Sequence, residues 1–221
     1  DGCPENIASI MQLFSCFISK HLNGTVLDIG CGIGTKPPPY VRNMKDLTYV
    51  GLDPIEGALE RDYPFVCSRV EDLMPEFPPA FFNGFIFSTS LDHIRNIKLA
   101  ASTVKQLATN EAYAVFWIGL HDPELVALQA GTGVFKRIFS PMTLLRGWVK
   151  ALAWALFYFP RMFFALKSRE QHIRKSLPLD QNHFHFFTLA SARSAVEQNF
   201  GQIVEEIQLP ASNSIFLAVK L

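Results

Sequence analysis

Three glycines at alternate positions, Gly30, Gly32 and Gly34, are the residues of this chain best suited to bind a ligand. They lie in the sequence TVLDIGCGIGT, in which Val26, Leu27 and Ile29 are apolar and favour a strand. Glycine allows a sharp turn at positive φ and lets a ligand approach the main chain, because it has no Cβ. A helix that began after this turn would point its free N–H groups at the ligand. Asp28, near the end of the strand, offers a carboxylate to an amine or hydroxyl of the ligand.

A second acidic residue, Asp53, follows the next predicted strand, residues 47–52, and lies 19 positions after Gly34. In nucleotide-binding α/β folds, an acidic residue about 20 positions after the glycine loop hydrogen-bonds the hydroxyls of a ribose. The sequence therefore predicts a ligand that contains a ribose. A simpler role for Asp53, as a turn or helix-cap residue before Pro54, stays open.

The glycine spacing separates two families of nucleotide-binding protein. The dinucleotide fingerprint is G-x-G-x-x-G, whereas the third glycine here comes one residue early and Thr35 takes the last glycine position. The D-x-G-x-G-x-G pattern that starts at Asp28 instead resembles motif I of the class I S-adenosylmethionine (SAM)-dependent methyltransferases, and Asp53 matches their acidic motif II. The resemblance implies SAM as the cofactor. A structural glycine turn in another α/β protein is the simpler alternative.

The resemblance covers roughly residues 25–117 and 183–221, and it implies further site residues. The stretch RVEDL from Arg69 resembles the methyltransferase segment that holds the adenine and often reads D-A-E-D-L-P. Because Arg69 replaces the usual aspartate, the backbone of Val70 or the side chain of Glu71 is expected to make this contact instead. A role as solvated surface charge stays open for Glu71 and Asp72. The end of the fourth strand lies beside the methionine part of SAM in this family. The implied cofactor site comprises Asp28, Gly30, Cys31, Gly32, Gly34, Asp53, Pro54, Val70, Glu71, Ser88, Thr89 and Ser90.

Two histidines are predicted as candidates for a general base. Methyl transfer needs a base only when the acceptor is a hydroxyl or a protonated amine, and histidine is the side chain best suited to that role near neutral pH. His93 follows the fourth predicted strand and His121 follows the fifth. Both positions lie at the carboxyl edge of the sheet, where open α/β folds bind ligands. His183 and His185 are weaker candidates, and Asp92 is a candidate for orienting the substrate.

Hydrophobic periodicity predicts the elements that position these residues. Helices are predicted at residues 7–22, 96–109 and 187–200, and strands at residues 25–29, 47–52, 65–67, 85–87, 113–118, 203–207 and 214–219. Their alternation predicts an α/β fold of one domain, 1–221: a Rossmann-like, seven-stranded, mostly parallel sheet with helices on both faces. The three prolines at 37–39 are expected to delay or bend the helix after the glycine loop. Residues 109–111 are expected to form a loop before the fifth strand.

About 60 residues, 122–182, lie between the fifth strand and His183, and the core fold does not need them. The stretch 134–175 carries nine lysines and arginines and one glutamate, a net charge of +8. The uncharged run ALAWALFYFP is too short to span a bilayer, which needs about 20 apolar residues. Three interpretations stay open: a helical cap over the pocket, a dimer surface, and contact with a membrane interface or a lipid-linked anionic substrate.

Composition narrows the function classes. The formal net charge is zero, which does not indicate a nucleic-acid partner. The fourth strand also does not end in the N/D-P-P-Y motif of the methyltransferases that modify amino groups of nucleic acids, which disfavours that substrate class. The four cysteines show no zinc or disulfide spacing, so we predict no metal and a cytoplasmic protein, peripheral at a membrane if 134–175 binds lipid. The sequence favours a methyltransferase acting on a small-molecule, sugar-linked or lipid-linked acceptor, at oxygen. The alternatives are a non-catalytic scaffold with the SAM fold and a nicotinamide-dependent oxidoreductase, and the oligomeric state is unknown.

Overall fold

The structure is a computed structural model that describes residues 5–57, 59–73, 76–121 and 183–221. The predicted inserted segment 122–182, including the basic stretch 134–175, lies outside the described residues. Every element predicted to carry the cofactor site is inside them.

Helices and strands alternate along the first half of the chain. In chain order the described elements are α1 (Glu5–His21), β1 (Gly24–Ile29), β2 (Leu47–Asp53), β3 (Phe65–Cys67), β4 (Phe82–Ser88), α2 (Ile97–Leu107), β5 (Ala108–Gly119), α3 (Leu189–Asn199), β6 (Ile203–Leu209) and β7 (Ser214–Lys220). Short 3₁₀ helices at Val70–Asp72 and Leu91–His93 follow β3 and β4. None of the described helices is long and apolar enough to cross a bilayer.

The seven strands form one sheet in the order β3-β2-β1-β4-β5-β7-β6. The first five run parallel, whereas β7 runs antiparallel to both β5 and β6. This confirms the predicted seven-stranded, mostly parallel sheet. Because β1 lies between β2 and β4, the carboxyl ends of these three strands meet at one edge of the sheet.

Successive side chains of a strand point to opposite faces of the sheet, and β1 shows how both faces are covered. Leu27 and Ile29 belong to a core that also contains apolar side chains of α2 and α3, including Ala100, Val104, Ala192 and Val196. Val26 belongs to a second core, which α1 closes with Phe14, Phe17 and Ile18. Helices therefore lie on both faces, as predicted, and the central strands are fixed from both sides.

The helix expected after the glycine loop is absent. Residues 30–46, all of which are described, form turns and no helix. The prolines explain the difference, because proline has no N–H group and is tolerated only in the first turn of a helix. A single turn forms instead, in which the Val41 and Arg42 N–H groups donate to the carbonyl oxygen of Pro38 at 3.0 and 3.1 Å. This turn carries Tyr40 into the second core, where it is 5% exposed.

The prediction of a loop at 109–111 is also wrong, because β5 already begins at Ala108. Ala108 pairs with Phe82 of β4, so α2 leads into the strand without an intervening loop. The exposed Glu111 accepts a hydrogen bond from Lys220 of β7 at 2.7 Å. The polar residues that indicated a loop are therefore the solvent-facing start of a long strand.

Candidate functional site

A cleft of about 630 Å³ lies at the edge where β1, β2 and β4 end. Ligands bind in open α/β sheets outside the carboxyl ends of the strands, at the point where the strand order reverses, and here that point lies between β1 and β4. The cleft is lined by Ile29, Gly30, Leu52, Asp53, Pro54, Ile55, Ser68, Arg69, Val70, Glu71, Ser88, Thr89, Ser90, His93, Ile94, Arg95 and Phe184.

The fold brings together most of the residues that the sequence analysis assigned to a cofactor. Eight of the twelve line the cleft: Gly30, Asp53, Pro54, Val70, Glu71, Ser88, Thr89 and Ser90. The other four do not line it: Asp28, Cys31, Gly32 and Gly34. Of the two candidate bases, His93 lines the cleft and His121 does not.

Close packing explains why glycine occupies position 30. Gly30 has φ +81°, and a Cβ at this position would lie 2.4 Å from the Cβ of Ser90. The Ser90 hydroxyl donates to the carbonyl oxygen of Ile29, so β1 and the segment after β4 are joined directly below the cleft. Thr89, the residue before Ser90, has φ +53°. This conformation is strained for a β-branched residue and is often found at functional sites.

Asp53 holds the glycine loop in place. One carboxylate oxygen, Oδ2, accepts the Gly32 N–H at 2.9 Å, and the other, Oδ1, accepts the Ile55 N–H at 2.8 Å. The N–H groups of Gly30 and Cys31 donate to the carbonyl oxygen of Leu52 at 2.8 and 3.2 Å. The loop N–H groups expected to face a ligand are thus bonded to the end of β2. The second bond, to Ile55, is the turn role that the sequence analysis left open for Asp53.

Arg61 is a supporting residue that the sequence analysis missed. Its guanidinium donates to the carbonyl oxygens of Gly32 at 3.0 Å and Glu56 at 2.6 Å. The guanidinium carbon also lies 3.3 Å from the centroid of the Phe65 ring. One side chain therefore ties the glycine loop to the segment after β2. No local sequence motif marks this role, because its partners come from three separate segments.

Asp28 is buried away from the cleft rather than facing a ligand. It is 0% exposed, and its Oδ2 accepts the hydroxyls of Tyr40 and Tyr49, each at 2.8 Å. Burial raises the pKa of this carboxyl from 3.8 to about 7, although the two tyrosine hydrogen bonds act in the opposite direction. The predicted direct contact between Asp28 and a ligand therefore does not fit this geometry. The proline turn that replaces the expected helix is what brings Tyr40 onto the carboxylate.

The side of the cleft formed by the 3₁₀ helix after β3 carries Arg69, Val70 and Glu71. Val70 is buried, and the Glu71 Oε1 accepts the backbone N–H of Asn96 at 3.3 Å, which links this helix to the start of α2. Arg95 and Phe184 also line the cleft and were not predicted. The Arg95 guanidinium carbon lies 5.1 Å from the centroid of the Phe184 ring.

The histidines occupy two different places. His93 lies on the cleft wall, and its ring centroid is 4.4 Å from that of His183. His121 lies outside the cleft lining. Its backbone N–H donates to the carbonyl oxygen of Phe187 at 2.7 Å, and its ring contacts the Phe186 ring edge-on, with the ring centroids 5.4 Å apart. His185 Nε2 bonds the carbonyl oxygen of Ile94 at 2.8 Å, so it holds the segment before α3. Among the histidines that the structure describes, His93 and His183 are therefore the two placed for chemistry near the cleft.

Solved structures with the same architecture decide the fold. A protein from Pyrococcus horikoshii is 13% identical, with a TM-score of 0.59 over 99% of this chain and 92% of its own. A SAM-dependent methyltransferase from Methanosarcina mazei is 13% identical, with a TM-score of 0.54 over 92% of this chain and 96% of its own. The 1,6-didemethyltoxoflavin-N1-methyltransferase of Burkholderia thailandensis, also 13% identical, gives a TM-score of 0.57 over 95% of this chain and 77% of its own. The chain has the class I methyltransferase fold.

No protein-family model matches the sequence, and no curated protein matches it. The likeness of this chain to the solved structures thus rests on the topology of the fold and not on sequence identity. The topology also separates it from the dinucleotide-binding sheet, whose strand order is 3-2-1-4-5-6. In the present sheet an antiparallel β7 is inserted between β5 and β6. The strand order and the glycine spacing therefore both favour the methyltransferase fold over the dinucleotide-binding fold.

Proposed function

We propose that the chain is a SAM-dependent methyltransferase that methylates an oxygen of a small-molecule, sugar-linked or lipid-linked acceptor. The observation that carries the proposal is the cleft at the switch point of a methyltransferase fold, which brings Gly30, Asp53 and Ser88 together from three strands. The Burkholderia methyltransferase holds 1,6-didemethyltoxoflavin and S-adenosylhomocysteine. An adenosine-containing cofactor in the present cleft follows from the same fold and from the residues at its edge.

The residues of the cleft fit this cofactor. The Asp53 carboxylate ends β2 at the cleft, and each oxygen has lone-pair capacity left after its bond to a backbone N–H, so it can accept the ribose hydroxyls. Ile55 lines the cleft with 61% of its surface exposed, an apolar contact for the adenine ring. Gly32 has φ +78° and open space where a Cβ would stand, which leaves the loop accessible from that side.

The chemistry requires positioning more than functional groups of the protein. SAM supplies a methyl group on a positively charged sulfur, and the protein contributes placement and electrostatics. Ser88 and Thr89 carry hydroxyls at the end of β4, and His93 follows them on the same wall. We place the acceptor on this wall, opposite Asp53 and Pro54. The assignment of oxygen as the methylated atom rests on the histidine there.

We favour His93 over His121 as the general base. His121 would have to act from outside the cleft lining, whereas His93 is in it. The preference for His93 over His121 stays a prediction, as does the orienting role of the neighbouring Asp92. Loss of His93 is expected to lower turnover more than loss of His121.

Titration calorimetry with SAM and S-adenosylhomocysteine tests the proposal. We expect micromolar binding by the wild type and about 10- to 100-fold weaker binding by Asp53→Asn, because a hydrogen bond to a charged group contributes about 1.5–3 kcal/mol. The control is Asp46→Asn, which removes an exposed carboxylate just before β2. A thermal melt of each variant shows whether the glycine loop still folds without the charge of Asp53.

The outcomes separate the alternatives. Binding that Asp53→Asn and Asp46→Asn leave equally strong would contradict the assignment of the ribose site. No binding of either compound by the intact chain would favour the scaffold alternative. Arg69 in place of the usual aspartate and the proline turn after the glycine loop are the features that favour it. Binding of NADH in place of SAM would favour the oxidoreductase, against the strand order and the glycine spacing.

A further inference from the structure

We propose that Asp92, His93 and His183 bind a divalent first-row transition-metal ion, with Zn²⁺ as the reference ion, at the acceptor wall of the cleft. Among the described residues these three place one carboxylate oxygen and two imidazole nitrogens within 4.8 Å of one another. The inference rests on the proposed methyltransferase function only for the role of the ion. Binding of the ion itself is independent of that function.

The donor set selects the class of ion. Two imidazoles and one carboxylate suit Zn²⁺, Fe²⁺, Co²⁺ or Ni²⁺, whereas Mg²⁺ and Ca²⁺ prefer oxygen ligands alone. Three protein ligands also leave at least one coordination position open for water or substrate, as in catalytic zinc sites. The open position is what distinguishes a site for chemistry from a closed structural site.

The distances are close to those of a bound ion. His93 Nε2 lies 3.8 Å from Asp92 Oδ1, and His183 Nε2 lies 3.8 Å from Asp92 Oδ2. These separations are longer than a hydrogen bond. Two ligands that are each about 2.1 Å from one ion lie roughly 3.4 Å apart in a tetrahedron and at most about 4.2 Å apart. The three ligand atoms lie within 4.8 Å of one another, so side-chain rotations that move each atom by less than about 1 Å would bring them onto one ion.

The backbone holds the two halves of the site together. The carbonyl oxygen of Asp92 accepts the N–H groups of Phe184 at 2.8 Å and His185 at 3.2 Å. His185 Nε2 also bonds the carbonyl oxygen of Ile94 at 2.8 Å. These three bonds join the 3₁₀ helix after β4 to the segment before α3, and they place His183 beside Asp92 although 91 positions separate the two residues. A site formed this way is present before an ion binds.

The site is accessible from solvent and adjoins the cleft. The side chains of His93, His183 and Asp92 are 43%, 35% and 20% exposed, so an ion can enter and its fourth ligand can exchange. Because His93 lines the cleft, an ion bound to it lies at the acceptor wall. A bound ion lowers the pKa of a coordinated hydroxyl. The expected acceptor therefore presents an oxygen donor to the ion. With the ion bound, His93 is its ligand and the ion activates the hydroxyl, so the general-base role proposed above for His93 applies to the metal-free chain.

The absence of a metal site was predicted from the cysteine spacing, which does not bear on this cluster. Asp92 and His93 are neighbours in sequence, but His183 reaches them only through the fold. The sequence alone contains no compact metal motif that joins the three residues. The prediction of no metal is thus replaced by a proposal that can be measured directly.

Titration of the metal-free full chain with Zn²⁺, followed by calorimetry, tests the proposal. We expect one ion per chain, and at least about 100-fold weaker binding after His93→Ala or His183→Ala, because loss of even an outer-shell partner weakens metal binding about 10- to 100-fold. Asp92→Asn removes the charge and keeps the backbone carbonyl that holds the segment before α3. His21→Ala is the matched control, since His21 lies on α1 and bonds Glu205 instead.

The visible absorption of bound Co²⁺ gives a second readout that does not depend on activity. A four- or five-coordinate spectrum in the wild type and in His21→Ala, which is lost in His183→Ala, is the expected result. Zn²⁺ binding that survives all three substitutions at the site, or no binding of either ion by the wild type, would overturn the proposal.

S-adenosylhomocysteine titrations of the same samples keep this inference separate from the proposed function. Each variant that still binds S-adenosylhomocysteine is folded around its cleft, so its loss of Zn²⁺ reports on the metal ligands. Metal binding without S-adenosylhomocysteine binding would support the metal site and contradict the methyltransferase. S-adenosylhomocysteine binding without metal binding would do the reverse.

Discussion

Replacing Asp28 with asparagine is expected to remove a large part of the pH dependence of folding stability near neutral pH. Asp28 is buried, and its carboxylate has only the hydroxyls of Tyr40 and Tyr49 on Oδ2. Within the described part of the chain, the second oxygen, Oδ1, has no hydrogen-bond partner. A negative charge is costly in such a place, which is why burial raises the pKa of the carboxyl to about 7.

The size and sign of the effect follow from the two pKa values. The folded chain holds the proton more tightly than the unfolded chain, whose carboxyl titrates near 3.8. This contribution to stability is therefore complete below about pH 4 and is lost as the pH rises through about 7. One pKa unit corresponds to about 1.4 kcal/mol, so the whole shift is about 4 kcal/mol. Between about pH 5 and pH 8 the wild type should lose about 2.5 kcal/mol through this group.

Urea unfolding of wild type and Asp28→Asn across that pH range measures the effect. The difference between the two unfolding free energies cancels the groups that both proteins share, including the half-buried Glu205 and Glu206, whose pKa values are also shifted. The asparagine oxygen can still accept from the tyrosines, and its buried amide adds a cost that does not change with pH. We expect the wild type to lose about 2.5 kcal/mol relative to Asp28→Asn as the pH rises from about 5 to 8.

Two controls make the result specific. Asp46→Asn removes an exposed carboxylate from the same connection between β1 and β2, and it should follow the wild type at every pH. Tyr49→Phe removes one of the hydrogen bonds that lower the pKa of Asp28, so it should extend the loss of stability to higher pH. Parallel curves for wild type and Asp28→Asn would refute the reasoning, because a buried carboxyl without a shifted pKa leaves no pH-dependent difference.

The remaining predictions concern the glycine loop and the inserted segment. Gly30→Ala should destabilise the fold by about 1–3 kcal/mol in the same urea assay, because its Cβ would lie 2.4 Å from that of Ser90 at a positive φ. Gly32→Ala has open space beside it and should destabilise the fold less. Equal losses of stability in the two variants would contradict the packing argument. If the basic stretch 134–175 binds lipid, the purified chain should float with anionic vesicles at low salt and not with neutral ones. Recovery of all protein in the bottom fraction with both kinds of vesicle would count against membrane contact.

The sequence was sufficient for the part of the fold that rests on local patterns. Apolar runs predicted β1, β2 and β3, and parallel strands necessarily bring their carboxyl ends to one edge. Gly30, Asp53 and Ser88 therefore meet in the structure although they are far apart in the chain. The cap of α3 is local as well, since the Thr188 side chain accepts the Ser191 N–H three residues later.

The contacts that the sequence did not predict are those between distant segments. Nothing near Asp28 in the sequence indicates that Tyr49 of β2 will bond it, because that contact depends on the pairing of β1 with β2. The meeting of His183 with Asp92 depends in the same way on where the chain returns after the inserted segment. The polar residues at 109–111 suggested a loop. That prediction was wrong because local composition does not show that Lys220 of β7 lies beside Glu111.

The antiparallel β7 has a consequence for how the protein is made. Along its apolar part, from Tyr113 to Gly119, β5 pairs with β7, which begins 95 positions after β5 ends. During synthesis β5 emerges long before its partner, so the nascent chain carries an unpaired, apolar strand edge of the kind that pairs with other chains. Contacts this far apart in sequence also slow folding. A chaperone that protects this edge until β7 appears would thus act at a strand that the finished sheet pairs on both sides.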